Sequence, residues 1–288
     1  MDFYSFLIQL LNGVQYGLLL FLVASGLTLI FGIMGIINLA HGSFYMVGAY
    51  MAFTLASLTG NLFVAIVVGI VLSVLLGMLL EWALISHLYK RDHLEQVLLT
   101  YGLILVFEEL RSLIVGNDVH GVAVPAIFNW SIPLTETLSY PVYRLFMSAV
   151  CLALAGLLYV LIHRTRVGMM IRAGASNREM VSALGLNINL VYRLVFALGV
   201  ALAAFAGMIA APVSSVYPGM GTQVLIICFV VVIGGIGSIW GALFAALLIG
   251  LADTFGKVLI PEAAGVTVYL LMAAILLWRP EGLFKRVG

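Results

Sequence analysis

Three polar residues, Asn38, His41 and Tyr45, interrupt an apolar background in GIINLAHGSFYMVGAY (35–50). On a helix their spacing of i, i+3 and i+7 puts them on one face, shared with Gly48 and Ala52. Polar groups are expensive in lipid and turn toward a bundle interior or a water path. Such a face either lines a solute route or hydrogen-bonds neighbouring helices. A second polar insertion, Glu108, Glu109 and Arg111, lies in LTYGLILVFEELRSLIVG (99–116). Glu108 and Arg111 stand three apart, a helical pairing distance, and an unpaired charge there would cost several kcal/mol. These charges either flank a substrate route or snorkel to the interface.

Asp253 and Lys257 in GLADTFGK are a further candidate pair, four apart. The spacing is GxxxxxGK and Val258 stands where a phosphate loop needs a hydroxyl, so nucleotide binding is excluded here. No HExxH, GxSxG or paired His/Asp set occurs, and the chain is expected not to be an enzyme. Cys151 and Cys228 sit inside apolar runs and read as packing residues, neither a disulfide nor metal ligands.

The elements that must position these residues are membrane helices. Of 288 residues 64% are hydrophobic and only 9% charged, and the mean hydropathy is +1.21. Soluble domains carry about a quarter charged residues. Membrane β-barrels show alternating segments of ~10 residues, whereas the apolar runs here are roughly 15–25 long without alternation. The expected fold is all-α, a polytopic transmembrane helix bundle of eight or nine membrane segments forming one domain over 1–288. Hydropathy places the segments near 8–30, 36–57, 62–86, 96–116, 140–162, 190–211, 223–236, 241–256 and 264–279. The seventh and eighth are short for a bilayer and read as one broken or re-entrant unit. Small residues recur at helix-packing spacing: Gly13 and Gly17, Gly199, Ala203 and Gly207, Gly237 and Gly241. FGIMGIINLAHG (31–42) and IGGIGSIWG (233–241) echo each other as glycine-containing links between apolar runs, either a repeat or two hairpin turns.

Charge sets the orientation. Lys90, Arg91, Arg164, Arg166, Arg172, Arg178, Arg193, Arg279, Lys285 and Arg286 are ten of the thirteen basic residues. Nine crossings put all ten on one side, the cytoplasm, with the N-terminus outside and the C-terminus inside. The outer segment 117–139 is expected as a lid or short surface hairpin. The net charge of +1 says nothing about nucleic acid, and with no basic block no nucleic-acid partner is expected. MDFYSF lacks a basic n-region, so no cleavable signal peptide is expected.

The loop 163–189, HRTRVGMMIRAGASNREMVSALGLNIN, holds Arg164, Arg166, Arg172 and Arg178. Good helix formers run from Ala175 to Leu184, with Ser176 or Asn177 available as an N-cap and Gly185 as a stop. Met180, Ala183 and Leu184 share an apolar side, opposite Arg178, Glu179 and Ser182. A short helix of this kind docks on the membrane surface or in a protein cleft.

Five stretches together resemble the LivH-type permease subunits of ABC importers for branched-chain amino acids. They are GLTLIFGIMGIINLAHGSFYMVGAY (26–50), RAGASNREMVSALGLNIN (172–189), FAGMIAAP (205–212), VVVIGGIGSIWGALFAALLIG (230–250) and WRPEGLF (278–284). The resemblance covers essentially the whole chain. It implies a bacterial inner-membrane permease with a homologous second permease, two cytoplasmic ABC ATPases and a periplasmic substrate-binding protein. The chain itself would hold no cofactor, ATP and Mg being used by the ATPases. Ala175 to Gly185, with Arg178, Glu179, Met180, Ala183 and Leu184, would be the cytoplasmic coupling helix seated in an ATPase groove. Of the fuller EAA pattern of other importers the loop keeps Glu179, Ala183 and Gly185. The Asn38, His41 and Tyr45 face with the Glu108, Glu109 and Arg111 region is the candidate lining of the solute route. Substrates of similar permeases include leucine-type and other neutral amino acids, urea, short amides and aromatic acids. The competing reading is a stand-alone ion-coupled secondary transporter using Glu81, Glu108 and Asp253 as titratable groups.

Overall fold

The computed structural model describes residues 3–89, 91–134, 138–176, 178–183, 185, 187–225, 228 and 239–278. Two helices form the centre. α1 (Phe3–Met34) and α8 (Ile188–Ser214) have 89% and 83% of their most apolar stretches buried, against 22% for α5 (Val142–Arg164). A helix apolar all round is either enclosed by protein or faces lipid, and α1, buried continuously from Gly17 to Ile30, is enclosed. Around this pair stand α2 (His41–Thr59), α3 (Leu62–Ala83), α4 (His93–Val115), α9 (Ile239–Leu259) and α10 (Ala264–Trp278). Five described helices, α1, α3, α5, α8 and most of α9, are long and apolar enough to cross a bilayer. The chain is thus an all-α polytopic membrane bundle.

Small residues set the close approaches. A Cβ on Gly17 would stand 2.8 Å from the Leu247 Cα of α9, and one on Gly26 would stand 2.7 Å from the Gly199 oxygen of α8. Gly48 and Gly207 likewise bring α2 and α8 together backbone to backbone. The α2–α3 turn is compact because Gly60 takes φ +68 and the Asn61 side chain accepts from the Phe63 N–H at 2.8 Å.

Hydropathy expects a helix over 36–57, but α2 begins at His41. His41 Nε2 donates to the Val23 carbonyl at 2.9 Å, so α2 starts beside the middle of α1. Val23 lies eleven residues before Met34, about 16 Å back along α1. The segment 35–40 therefore folds back into the bundle as irregular backbone. Such backbone is tolerated at membrane depth only inside protein, and Ile36, Asn38 and Ala40 are fully buried.

The two ends of the bundle differ. One carries an antiparallel hairpin of β1 (Ser131–Pro133) and β2 (Ser139–Pro141), the hairpin expected of 117–139. There His120 also pairs with Val216 through two backbone hydrogen bonds of 2.8 and 2.7 Å. The other, basic end carries α6 (Arg166–Ser176) and α7 (Arg178–Ala183). Helix here starts earlier than expected, because the Thr165 hydroxyl accepts from the Gly168 N–H at 3.0 Å and caps a first helix ahead of Ala175. Gly185 follows α7 at φ +82, the stop expected of it. The seventh expected segment, 223–236, lies outside the described residues except for 223–225 and 228. The 233–238 echo, Leu184, Asn177 and residues 279–288 also lie outside them.

Candidate functional site

Between α1, α5, α8, α9 and α10, toward the hairpin end, lies a half-open cavity of about 720 Å³. That falls in the range of small-molecule sites, roughly 300–1,000 Å³. One wall is a polar stripe on α1: Gln9, Asn12, Gln15 and Tyr16, at spacings of three, three and one. These positions share a helix side. A cation is anchored on each flank of this stripe. From α5, Arg144 Nη1 donates to the Asn12 amide oxygen at 2.7 Å. From α9, Lys257 pairs with Asp253 at 2.6 Å and lies 5.6 Å from the Tyr16 ring centroid. Deeper in, Tyr45, Leu19 and Met147 form part of the lining. Tyr143 pins the α5 wall to α8 by donating to the Ile209 carbonyl at 2.9 Å. Tyr217, between α8 and the helical stretch 220–225, donates to Gln223 at 2.7 Å. Burial raises its phenol above the ordinary pKa, so it presents a neutral hydroxyl.

The cavity takes in one of the six residues expected to line a route. Tyr45 borders it; Asn38 and His41, both fully buried, do not. Asn38 stands ahead of α2, so the three do not share a helical face. Its side chain accepts from the Ala40 N–H at 3.1 Å, turning the chain into α2. Gln96 of α4 completes this support, accepting from the Ile37 N–H at 3.3 Å and donating to the Leu88 and Arg91 carbonyls. Glu108 and Arg111 do pair, at 3.2 Å. Arg111 also donates to the Gly116 carbonyl and the Asn117 side chain at 2.8 and 3.0 Å, closing the C-terminus of α4. Glu109 is exposed on the outer side of α4.

At the basic end the arrangement is tight. Glu81, fully buried, accepts from Arg193 of α8 at 2.8 Å and from the Tyr89 hydroxyl. Tyr89 packs edge-on against Tyr192, ring centroids 5.1 Å apart. Val181 of α7 joins Ile188 and Tyr192 in one buried cluster that reaches Ile33 and Met34 of α1. Ile171 of α6 enters a second cluster with Leu158, Ile162 and Val195. Val167, Met169 and Met180 are 39%, 56% and 61% exposed, and Ala183 is exposed too. Of the expected apolar side, Met180 and Ala183 face outward and Leu184 lies outside the described residues, while Val181 supplies the inward anchor. Ala175 belongs to the last turn of α6, Arg178 and Glu179 to the first turn of α7.

Sequence reasoning passes over the α1 stripe, Arg144 and Gln96. A signal existed for the first: three amides within seven residues of an otherwise apolar helix. Among the described residues no cluster of metal-ligating side chains occurs.

A multi-helix bundle with buried irregular backbone, a polar cavity at one end and an amphipathic helix pair at the other is the architecture of a membrane transport protein. The chain belongs to the family of branched-chain amino acid transport system permease components, whose model matches residues 9–277. It is 31% identical over 301 residues to the high-affinity branched-chain amino acid transport permease BraD of Pseudomonas aeruginosa, covering 99% of this chain and 97% of that protein. With LivH of Escherichia coli K12 it shares 32% over 305 residues, again covering 99% and 97%. A probable LivH of Methanocaldococcus jannaschii is 29% identical, covering 94% of this chain and 90% of the relative. Among solved structures, PsaBC of Streptococcus pneumoniae in complex with Fab aligns at a TM-score of 0.50 and 13% identity. The alignment covers 93% of this chain and 89% of the other, a likeness of fold alone.

Proposed function

We propose that this chain is a permease subunit of an ATP-driven importer carrying branched-chain or closely related neutral amino acids inward across the bacterial inner membrane. The observation that carries the reading is the match over residues 9–277 to the permease family. BraD and LivH, which align along nearly their whole length, are named for high-affinity branched-chain amino acid transport. The basic end faces the cytoplasm by the excess of Lys and Arg in its loops. α6 and α7 are the part that meets an ATPase: Ile171 and Val181 anchor them, and Val167, Met169 and Met180 offer apolar side chains outward. A homologous second permease, two cytoplasmic ATPases using ATP and Mg, and a periplasmic binding protein complete the assembly. Tyr45 and the hairpin-end cavity belong to the solute route. Asn38 and His41 hold the fold-back that shapes it, and Glu108 with Arg111 closes α4.

The ion-coupled alternative gains no support from the three carboxylates it would use. Glu81, Glu108 and Asp253 each sit against a basic side chain, at 2.8, 3.2 and 2.6 Å. The test is uptake of labelled leucine into proteoliposomes holding the co-purified assembly. Uptake should require enclosed ATP and added binding protein. Ion-gradient-driven uptake by the purified chain alone would overturn the reading.

A further inference from the structure

We infer that the hairpin-end cavity is a receiving site for a free zwitterionic aliphatic amino acid, with Arg144 taking its carboxylate and Asp253 its ammonium. The proposal rests on the importer reading and adds a site within this single chain. Four observations carry it. Arg144 is held by a neutral partner, the Asn12 amide at 2.7 Å, and among the described residues it pairs with no carboxylate. A guanidinium has five N–H donors in a planar fork suited to a carboxylate, so a cation placed this way is ready for an incoming anion. Asp253 lines the same cavity, and its carboxylate is 8% exposed. Its partner Lys257 is 57% exposed, a flexible ammonium that an incoming one can displace.

The third observation is placement. Asn12 and Tyr16, which meet Arg144 and Lys257, are four apart on α1. Asn12, Tyr16, Arg144 and Asp253 all border the one cavity, so both charges face the same solute space. The fourth is the apolar remainder of the lining: Leu19, Met147, Met220 and Val268 border the same space and suit a branched side chain. An anion alone would leave Asp253 without use, and an apolar solute would leave the charges unmet.

The test uses the complete assembly with a Thr254→Cys substitution. Thr254 lines the cavity, whereas native Cys151 and Cys228 are buried and stay unreactive. A small membrane-impermeant methanethiosulfonate labels the new thiol in the absence and presence of leucine. Leucinamide, which lacks the carboxylate, and 4-methylpentanoate, which lacks the ammonium, are the controls. Leucine should slow labelling several-fold and both analogues should not. Arg144→Gln in the same background should abolish protection, with Arg144→Lys restoring part of it. In uptake Arg144→Gln should raise KM about tenfold or more, the scale of a lost hydrogen bond to a charged group. Equal protection by leucine and leucinamide, or no protection with normal uptake by Arg144→Gln, overturns the site. Protection by leucine alone without ATP-driven uptake would uphold the site and sink the importer reading. Should Arg144→Gln fail to assemble, the three-ligand comparison at Thr254→Cys decides by itself.

Discussion

The Glu81–Arg193 pair at the basic end and the Asp253–Lys257 pair at the hairpin end join the same kinds of groups in opposite settings. Glu81 is fully enclosed and its partner 31% exposed; Asp253 is 8% exposed and its partner 57%. The first ties two helices, α3 to α8, with a tyrosine as third member. The second joins residues one turn apart on α9, beside open space. One is built to hold elements in register, the other to leave charge available. The proposed role, with work received at the basic end and solute at the hairpin end, accords with this asymmetry.

The strongest way to break the comparison is to remove one partner from each pair. Glu81→Ala should cost about 3–5 kcal/mol, because Arg193 and Tyr89 lose the carboxylate they share. Asp253→Asn should cost about 1 kcal/mol or less, since Lys257 turns to water. Thermal unfolding of the detergent-purified assembly reads both, and equal shifts would erase the distinction drawn between the ends. The double change Glu81→Ala with Arg193→Ala should cost clearly less than the two single costs added, the signature of a direct coupling.

Tyr143→Phe sharpens the cavity side. The lost bond to the Ile209 carbonyl should cost about 1 kcal/mol, and the α5 wall that carries Arg144 should loosen. KM for leucine should then rise while assembly with the ATPases stays intact. An unchanged KM would remove Tyr143 as a support of the site. The smallest effect is expected at Asn61→Ala, roughly 0.5–1 kcal/mol for one helix cap that lines neither the cavity nor the α6–α7 surface. It serves as the yardstick against which changes near either end are judged.

What could be read in the sequence follows sequence distance. Glu108 with Arg111 and Asp253 with Lys257 are legible because both partners lie on one helix, three or four apart. Glu81 and Arg193 are 112 residues apart, and no periodicity connects them. Hydropathy reads straight through 36–40 because Ile36, Ile37, Leu39 and Ala40 are as apolar as a helix. The fold-back depends on Gly35 at φ +68, on the Asn38 turn and on Gln96 reaching over from α4. The basic loop at 163–189 marks itself by charge, and Gly185 marks its end. Its first helix escapes notice because RVGMMIRAGAS carries two glycines, poor helix residues, and is stabilised by packing of Ile171 against α5 and α8. The cavity is hardest to foresee, since its charged flanks come from α5 and α9 and meet only across α1.

α6 and α7 are proposed to receive the work of a partner ATPase. Met180→Cys in the complete assembly, treated with a short bifunctional thiol reagent, tests it most directly. Cross-linking to an ATPase subunit is expected, lost when the ATPases are stripped away, with a changed yield when ATP is trapped. A thiol that reaches only lipid, with ATPases bound and transport intact, would contradict it.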